Sequence, residues 1–287
     1  FAYDYFCDGN KKYAWNLKNG ILPQGVTFNN GTMSGTPTEA GKFHYTLTLS
    51  DAKKTKKHLD EHGILGRCTL NLPANCHIPL HPEQATAIMK SAVDKVAEME
   101  GDFLGGVLHS AIGTFTGNPC TLDEKTIIKQ VFSEVADYAQ KSNITIAPEP
   151  INRYESYVFT AADEILEMTE SIGKPNIGLH LDTFHMNIEE ESIGAAIREA
   201  GSLLGHFHTG ECNRMVPGRG RTPWREIGEA LRDINYDKTV VMEPFVMPGG
   251  TVGQNIKVWR DIVPDTSEEA LDRDAKKALE FERYMLG

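Results

Sequence analysis

Residues 144–243 alternate short apolar runs with amphipathic helical patterns, and this alternation constrains the fold more than any other feature of the chain. Four of the runs are typical of buried strands, and each leads to a potential metal ligand. The runs are ITIAPE with Glu149, IGLHLD with Asp182, LGHFH with His208 and TVVMEP with Glu243. Strands that alternate with helices predict βαβ units and a parallel sheet, whose right-handed crossovers bring all four strand ends to one side. The sequence therefore predicts an α/β fold, a (β/α)8 TIM barrel, with these side chains at its C-terminal mouth.

The four strand-end residues together predict a divalent metal site. A single Glu or Asp at a strand end is more often a helix cap or a loop charge, but four at corresponding positions are not explained in this way. Three carboxylates and one imidazole would raise one another's pKa by repulsion unless a cation lay between them. An oxygen-rich site with one histidine suits Mn²⁺ or Co²⁺, with Mg²⁺ as an alternative, better than structural Zn²⁺, which prefers thiolate and imidazole.

Four motifs carry a resemblance to a known family. They are APEPINRYES, HLDTFHMNIEE, GHFHTGECNRMVPGRGRTPW and VVMEPFVMPGGTVGQNIKVWRD. In order and spacing they resemble the ketose 3-epimerases, the D-tagatose and D-allulose (psicose) 3-epimerase family of xylose isomerase-like barrels. The resemblance covers about residues 53–287 and implies one divalent ion per subunit, held by Glu149, Asp182, His208 and Glu243. It also implies a ketose substrate and self-association into dimers or tetramers.

The resemblance assigns three further residues to the substrate. It implies that Glu155, His185 and Arg214 hold the oxygens at the reacting end of the sugar. On spacing alone, the same residues could equally be surface charges and a loop histidine. Arg214 offers forked donors to a hydroxyl or enediolate oxygen.

Epimerisation at C3 of a ketose removes a proton next to the C2 carbonyl and returns one to the opposite face. A divalent ion would stabilise the developing enediolate. Inversion needs one group on each face of the sugar, and the strand order suggests Glu149 and Glu243 for these positions. We expect one to act as base and the other, protonated, as acid, with the roles exchanged in the reverse direction.

Residues 1–52 depart from the barrel pattern. They are rich in Gly, Pro, Asn and Thr, with short β-type runs at VTF and FHYTLTL and no helical period. This segment resembles a bacterial immunoglobulin-like repeat. The matching positions are Leu22, Pro23, Gly25, Gly31, Ser34, Gly35, Thr36, Pro37 and Gly41. We predict an atypical β-rich segment over 1–52 and a catalytic barrel domain over 53–287. Whether 1–52 supplies the first barrel strands or forms an appended module stays open.

The remaining elements follow from periodicity. Helices are predicted over 51–63, 82–101, 123–143, 162–173, 189–201, 224–236, 251–262 and 267–286, and further strands over 66–72 and 103–109.

The composition of the chain argues against nucleic-acid binding and against a membrane span. A net charge of −11 argues against nucleic acid, whose binding depends on clustered Lys and Arg. No apolar run approaches a membrane span, and five cysteines without CxxC spacing suggest free thiols and a cytoplasmic location. Two alternatives remain: an aldose–ketose isomerase on the same barrel, and an inactive barrel fused to an Ig-like binding module. Which ketose is preferred is not decided by the sequence.

Overall fold

The computed structural model describes residues 15–20, 26–29, 32–35, 45–49, 52–63, 66–249, 253 and 256–287. The chain divides into two compact units, Ala2–Gly66 and Arg67–Gly287. This division falls after the first predicted helix rather than before it. The domain boundary at residues 52 and 53 remains a prediction.

The smaller unit contains two antiparallel strand pairs and one helix among its described residues. The strands are β1 (Trp15–Gly20), β2 (Val26–Asn29), β3 (Thr32–Gly35) and β4 (Tyr45–Leu49), followed by helix α1 (Ala52–Glu61). β1 pairs with β4, and β2 pairs with β3. A strand inside a TIM barrel would pair in parallel with its neighbours, so these four strands have the pairing of a β-module. If residues 1–52 supplied the first barrel strands, FAYDYF would be the opening one, but it lies outside the described residues.

The larger unit is built from parallel strands that alternate with helices. Its strands are β5 (Cys68–Thr69), β6 (Phe103–Gly106), β7 (Thr145–Pro148), β8 (Leu179–Asp182), β9 (Leu204–Thr209) and β10 (Val240–Met242). Its helices are α2 (Pro82–Glu98), α3 (Leu122–Gln140), α4 (Ala162–Ile172), α5 (Thr183–Glu189), α6 (Ile193–Ala200), α7 (Trp224–Asp233) and α8 (Glu268–Met285), with short 3-10 turns at Ala74–Cys76 and Gly201–Leu203.

The six strands of this unit follow one another in chain order. Parallel ladders join β5, β6 and β7, and a second set joins β8, β9 and β10. The two sets meet where the Ile146 carbonyl accepts a hydrogen bond from Gly178 N at 2.9 Å, beside a parallel bridge between Ile146 and Ile177. Arg67 Nε donates to Thr239 Oγ1 at 3.0 Å, so the residues before the first and the last strand of the set also touch. All strand ends therefore face one side, as the predicted barrel topology requires.

Local sequence explains where the helices around these strands begin. Thr121 and Glu124 form a reciprocal capping box at the start of α3, and Ser192 caps α6 by accepting from Ala195 N. The buried positions of the helices recur at helical spacing and pack on the strands, as Ala85, Met89 and Val93 do in α2. Within the described part of the chain, none of the helices has the length and apolar character required to span a bilayer.

The predicted elements differ most from the structure in two places. Residues 183–189 form α5 directly after Asp182, a helix that is too short to show a period in the sequence. The prediction of a helix over 251–262 is wrong for residues 256–262, which form turns and bends, whereas Gly253 is helical; residues 251–252 and 254–255 lie outside the described residues. Lys257 there has a φ of 62°, which a right-handed helix excludes.

Candidate active site

Glu149, Asp182, His208 and Glu243 converge at the C-terminal ends of β7, β8, β9 and β10. One ligand atom from each of Glu149, Asp182 and His208 lies within 4.8 Å of the other two, and all three residues are buried. Glu243 is half-buried, and its Oε2 lies 3.6 Å from His208 Nδ1. The structure therefore brings together the four residues that the sequence predicted to share a site.

The residues of this cluster are suited to a divalent cation. His208 Nδ1 is buried and has no hydrogen-bond partner in the described part of the chain. The carboxylate oxygens nearest to it, from Glu149 and Glu243, lie at 3.9 and 3.6 Å, too far for good hydrogen bonds. An orphaned imidazole nitrogen that faces acidic oxygens is the arrangement that a cation would satisfy. The donor set of three carboxylates and one imidazole fits Mn²⁺, Co²⁺ or Mg²⁺.

The two glutamates have opposite electrostatic environments. Burial, together with Glu243 and Asp182, raises the pKa of Glu149 well above its ordinary value, against the opposing effect of His208. For Glu243, burial acts to raise the pKa, but His208 and Arg214 outweigh it, so the pKa is lowered. Two carboxyl groups with divergent pKa values are what an acid and a base working as a pair require.

A second cluster of histidines lies next to the first. The rings of His180 and His206 lie 4.1 and 5.0 Å from the ring of His208, and all three residues are buried. His180 Nδ1 accepts a hydrogen bond from Gly106 N at 3.2 Å, which places the ring proton on Nε2. A protonated nitrogen has no lone pair for a metal, so this trio is the weaker cation site.

Arg214 lies directly at the predicted metal ligands. Its Nη1 is 3.1 Å from Asp182 Oδ2 and 3.0 Å from Glu243 Oε2, and its guanidinium stacks 3.6 Å from the centre of the Phe184 ring. The residue has a φ of 63°, uncommon for a side chain other than Gly, Asn or Asp. Arg214 thus offsets part of the negative charge of the cluster.

The loop that carries Arg214 is folded around Glu211, a residue that the sequence did not single out. The Glu211 carboxylate is completely buried and accepts hydrogen bonds from Gly218 N at 2.7 Å, Thr222 N at 3.0 Å and Trp224 Nε1 at 2.8 Å. Three fixed donors explain why an acidic group is tolerated in the interior. The one available sequence signal was its place in GECNR, three residues before Arg214.

His185 and Glu155 lie on the β7–β8 side of the cluster. His185 Nε2 is 3.7 Å from Asp182 Oδ2, and burial lowers the pKa of His185 to about 3, so the ring is neutral. Glu155 Oε1 accepts a hydrogen bond from Asn152 Nδ2 at 3.0 Å, and the same amide lies 2.9 Å from His185 Nδ1. Asn152 therefore links the two residues, although no pattern in the sequence pointed to it.

The chain is similar to known proteins over most of its length. The xylose isomerase-like TIM barrel family model matches residues 32–262, and an Ig domain model matches residues 2–59. The D-psicose 3-epimerase of Enterocloster bolteae is 48% identical over 205 residues, which are 71% of this chain and 68% of that protein. The D-psicose 3-epimerase of Ruminiclostridium cellulolyticum is 58% identical over 153 residues, so that match spans about half of each chain, 53% and 52%.

A solved structure shows the same relationship. The crystal structure of D-psicose 3-epimerase with D-tagatose from Clostridium cellulolyticum H10 has a TM-score of 0.78 and 41% identity, and it covers 82% of this chain and 83% of that one. The TIM barrel fold, the epimerase resemblance and the Ig-like resemblance of the N-terminal segment are all confirmed. The chain therefore belongs to the ketose 3-epimerase family of xylose isomerase-like TIM barrel proteins, which are isomerases.

Proposed function

We propose that the protein epimerises free ketohexoses at C3, interconverting D-fructose with D-allulose and D-tagatose with D-sorbose. The observation that carries this proposal is the convergence of Glu149, Asp182, His208 and Glu243 at adjacent strand ends in a chain of this family. One divalent cation per subunit, Mn²⁺ or Co²⁺ in preference to Mg²⁺, would be held by these four residues. When bound, it would act as a Lewis acid toward the sugar and make the proton at C3 easier to remove.

Glu149 and Glu243 are proposed to move the proton. They follow β7 and β10, the two outer members of the four strands, which supports an assignment to opposite faces of the sugar. Burial raises the pKa of Glu149, whereas His208 and Arg214 lower that of Glu243, and this asymmetry supports different roles for the two carboxyl groups. After the transfer the base carries the proton taken from C3 and the acid is ionised, which is the state from which the reverse reaction starts.

Arg214, His185 and Glu155 are proposed to hold the reacting end of the sugar. Arg214 supplies fixed positive charge beside Asp182 and Glu243. His185 carries its ring proton on Nε2, the nitrogen nearer to Asp182, and can donate it to a sugar oxygen. The Glu155 carboxylate can accept from a sugar hydroxyl while Asn152 holds its other side.

The proposal is tested with purified protein, D-fructose and each of Mn²⁺, Co²⁺ and Mg²⁺, against a sample treated with EDTA. We expect D-allulose by chromatography in the presence of metal and none after chelation, with recovery when Mn²⁺ is added back. An aldose product would favour the isomerase alternative. Glycan binding without turnover would favour an inactive barrel with a binding module.

Three further features are proposed from the sequence alone. They are a dimeric or tetrameric state, a cytoplasmic location, and a domain division near residue 52.

A further inference from the structure

Asn152 lies between the two residues proposed to hold the sugar on the β7–β8 side. It is 2% exposed. Its Nδ2 is 2.9 Å from His185 Nδ1 and 3.0 Å from Glu155 Oε1, and its Oδ1 accepts a hydrogen bond from Tyr154 N at 3.0 Å. Both polar atoms of the Asn152 side chain are therefore in use, and one of them serves two residues of the site.

The surroundings decide which way the Asn152 amide is turned. If the amide were rotated by 180°, Oδ1 would face the Glu155 carboxylate, and the N–H of Tyr154 would face an NH₂ group. Both contacts would be repulsive. The Nδ2 group therefore faces His185 and Glu155, and it donates to both.

Two N–H donors of Asn152, one from the side chain and one from the backbone, set the tautomer of His185. Nδ1 of His185 accepts from Asn152 Nδ2 and also lies 3.2 Å from the backbone N of Asn152. A nitrogen that accepts carries no proton, so the single proton of the neutral ring is on Nε2. Nε2 is the atom that lies 3.7 Å from Asp182 Oδ2.

A separate contact holds the loop of Asn152 against helix α5. The backbone N, Nε and Nη2 of Arg153 donate to the Glu189 carboxylate at 2.7, 3.0 and 2.9 Å. Glu189 is the last residue of α5, whereas His185 lies in its first turn. Because this second attachment does not involve Asn152, loss of the Asn152 side chain should disturb His185 and Glu155 without releasing the loop.

We propose that Asn152 is a positioning residue: its backbone and side-chain N–H groups together keep His185 in the Nε2–H tautomer, and its side chain holds the Glu155 carboxylate at a fixed distance from His185. Asn152 acts through these two residues rather than on the sugar itself. Its meaning for catalysis rests on the proposed function. The tautomer of His185, in contrast, can be measured on the protein without any substrate.

The test compares Asn152→Asp and Asn152→Ala with a matched control, Asn176→Asp. Asn176 Nδ2 also donates to two acceptors, the carbonyls of Ala136 and Ile144, but it lies before β8, away from the mouth. Long-range ¹H–¹⁵N spectra of ¹⁵N-histidine-labelled protein report the tautomer, and the His185 signals are assigned by their absence in His185→Gln. We expect Nε2–H in the wild type and in Asn176→Asp. In Asn152→Asp a carboxylate acceptor and the backbone donor of residue 152 both face Nδ1, so we expect a population with the proton on Nδ1 that the wild type does not show.

Kinetic measurements on D-fructose with Mn²⁺ distinguish the contact of Asn152 with His185 from its contact with Glu155. We expect Asn152→Asp to lose about tenfold or more in kcat/KM, the equivalent of one lost hydrogen bond. Asn152→Ala keeps the backbone donor on Nδ1, so we expect the wild-type tautomer, a KM raised several-fold and a nearly unchanged kcat. We expect Asn176→Asp to change the melting temperature without changing KM or kcat.

Two results would overturn the proposal. One is a wild-type His185 tautomer in Asn152→Asp, and the other is a KM in Asn152→Ala equal to that of the wild type. If Asn152→Asp does not fold, the KM of Asn152→Ala alone decides whether Asn152 is a positioning residue. A wild-type protein without epimerase activity would refute the proposed function, and the tautomer comparison would still decide the role of Asn152.

Discussion

At the scale of single residues, Glu149 and Glu243 differ in what surrounds them. The side chain of Glu149 is 8% exposed, whereas that of Glu243 is 32% exposed and pairs with Arg214 at 3.0 Å. Because Glu243 is only half-buried and is one of several like charges, its removal should leave the fold intact. Its proposed role in proton transfer, however, cannot be taken over by an amide.

We expect Glu243→Gln to lower kcat by about 10²–10⁴-fold, the usual contribution of a general acid or base, with a melting temperature close to that of the wild type. Turnover of D-fructose and thermal unfolding measure the two quantities. The exposed Glu229→Gln serves as a control for the loss of one charge. Activity of Glu243→Gln within tenfold of the wild type would contradict the assigned role.

The cation site gives a second prediction at this scale. A cation that binds only the folded protein stabilises it by about 2.7 kcal/mol when its concentration is a hundred times its Kd. We therefore expect Mn²⁺ to raise the melting temperature of chelator-treated protein, and we expect this shift to be absent in Asp182→Asn. An equal shift in both proteins would show that Mn²⁺ binds elsewhere.

The sequence predicted the four strand-end residues because each stands at the end of an apolar run, where pattern and position agree. It did not predict Glu211 or Asn152. Both are buried polar groups whose roles depend on what the chain brings to them from a distance, such as Trp224 Nε1 for Glu211 and His185 for Asn152. The periodic pattern of apolar residues contains no information about such long-range contacts.

At the scale of elements, strand β6 ends in a glycine with two separate constraints. Gly106 has a φ of 99°, and a Cβ built on it would lie 2.7 Å from the carbonyl oxygen of Leu70. Gly113 has a similar φ of 74°, but a Cβ there would meet nothing within 4 Å. Substitution of Gly113 therefore measures only the strain of a positive φ. Substitution of Gly106 measures that strain together with the steric clash with a neighbouring strand.

We expect Gly113→Ala to cost about 1–2 kcal/mol, the strain of a left-handed conformation. Gly106→Ala should cost at least about 2 kcal/mol more, because backbone atoms of the neighbouring strand must move. Urea unfolding of the two variants measures the difference. Equal losses would show that the strands can separate without cost.

The long helices were predicted from the sequence more accurately than the short one. Long periodic patterns gave α2, α3, α4, α7 and α8 within a few residues of their observed bounds. Helix α5 escaped prediction because its seven residues span about two turns, and its start is set by Asp182, whose Oδ1 accepts from Phe184 N at 3.0 Å. Asp182 is both the cap of α5 and a proposed metal ligand. In the sequence it is visible only as the last residue of a strand, so it gave no sign that a helix begins there.

At the scale of the whole molecule, helix α8 carries a buried acidic group to the end of β9. Glu282 is 6% exposed and accepts a hydrogen bond from Thr209 Oγ1. Burial raises the pKa of Glu282, although the hydrogen bond from Thr209 acts in the opposite direction. The folded pKa therefore exceeds the unfolded value of about 4.3. The contribution of Glu282 to stability is complete below that value and is lost as pH rises through the folded pKa.

Glu282→Gln removes this dependence and keeps an acceptor for Thr209. We expect the free energy of unfolding of Glu282→Gln, relative to the wild type, to increase between about pH 4 and pH 7.5, because the loss of stability in the wild type begins near the unfolded pKa of about 4.3. Urea unfolding at both pH values measures it, and the exposed Glu280→Gln on the same helix is the control. A difference that does not vary with pH would mean that Glu282 titrates as it does in the unfolded chain.

The unequal exposure of Glu149 and Glu243 has a consequence for the origin of the hydrogen at C3. A proton held by the half-buried Glu243 can exchange with bulk water between turnovers, whereas one held by the buried Glu149 is shielded from it. In D₂O, the label should therefore enter one epimer sooner than the other, according to which carboxyl group delivers the hydrogen. The two sugars would then differ in their deuterium content at C3 after the same time. This difference would show which carboxyl group delivers the hydrogen in each direction.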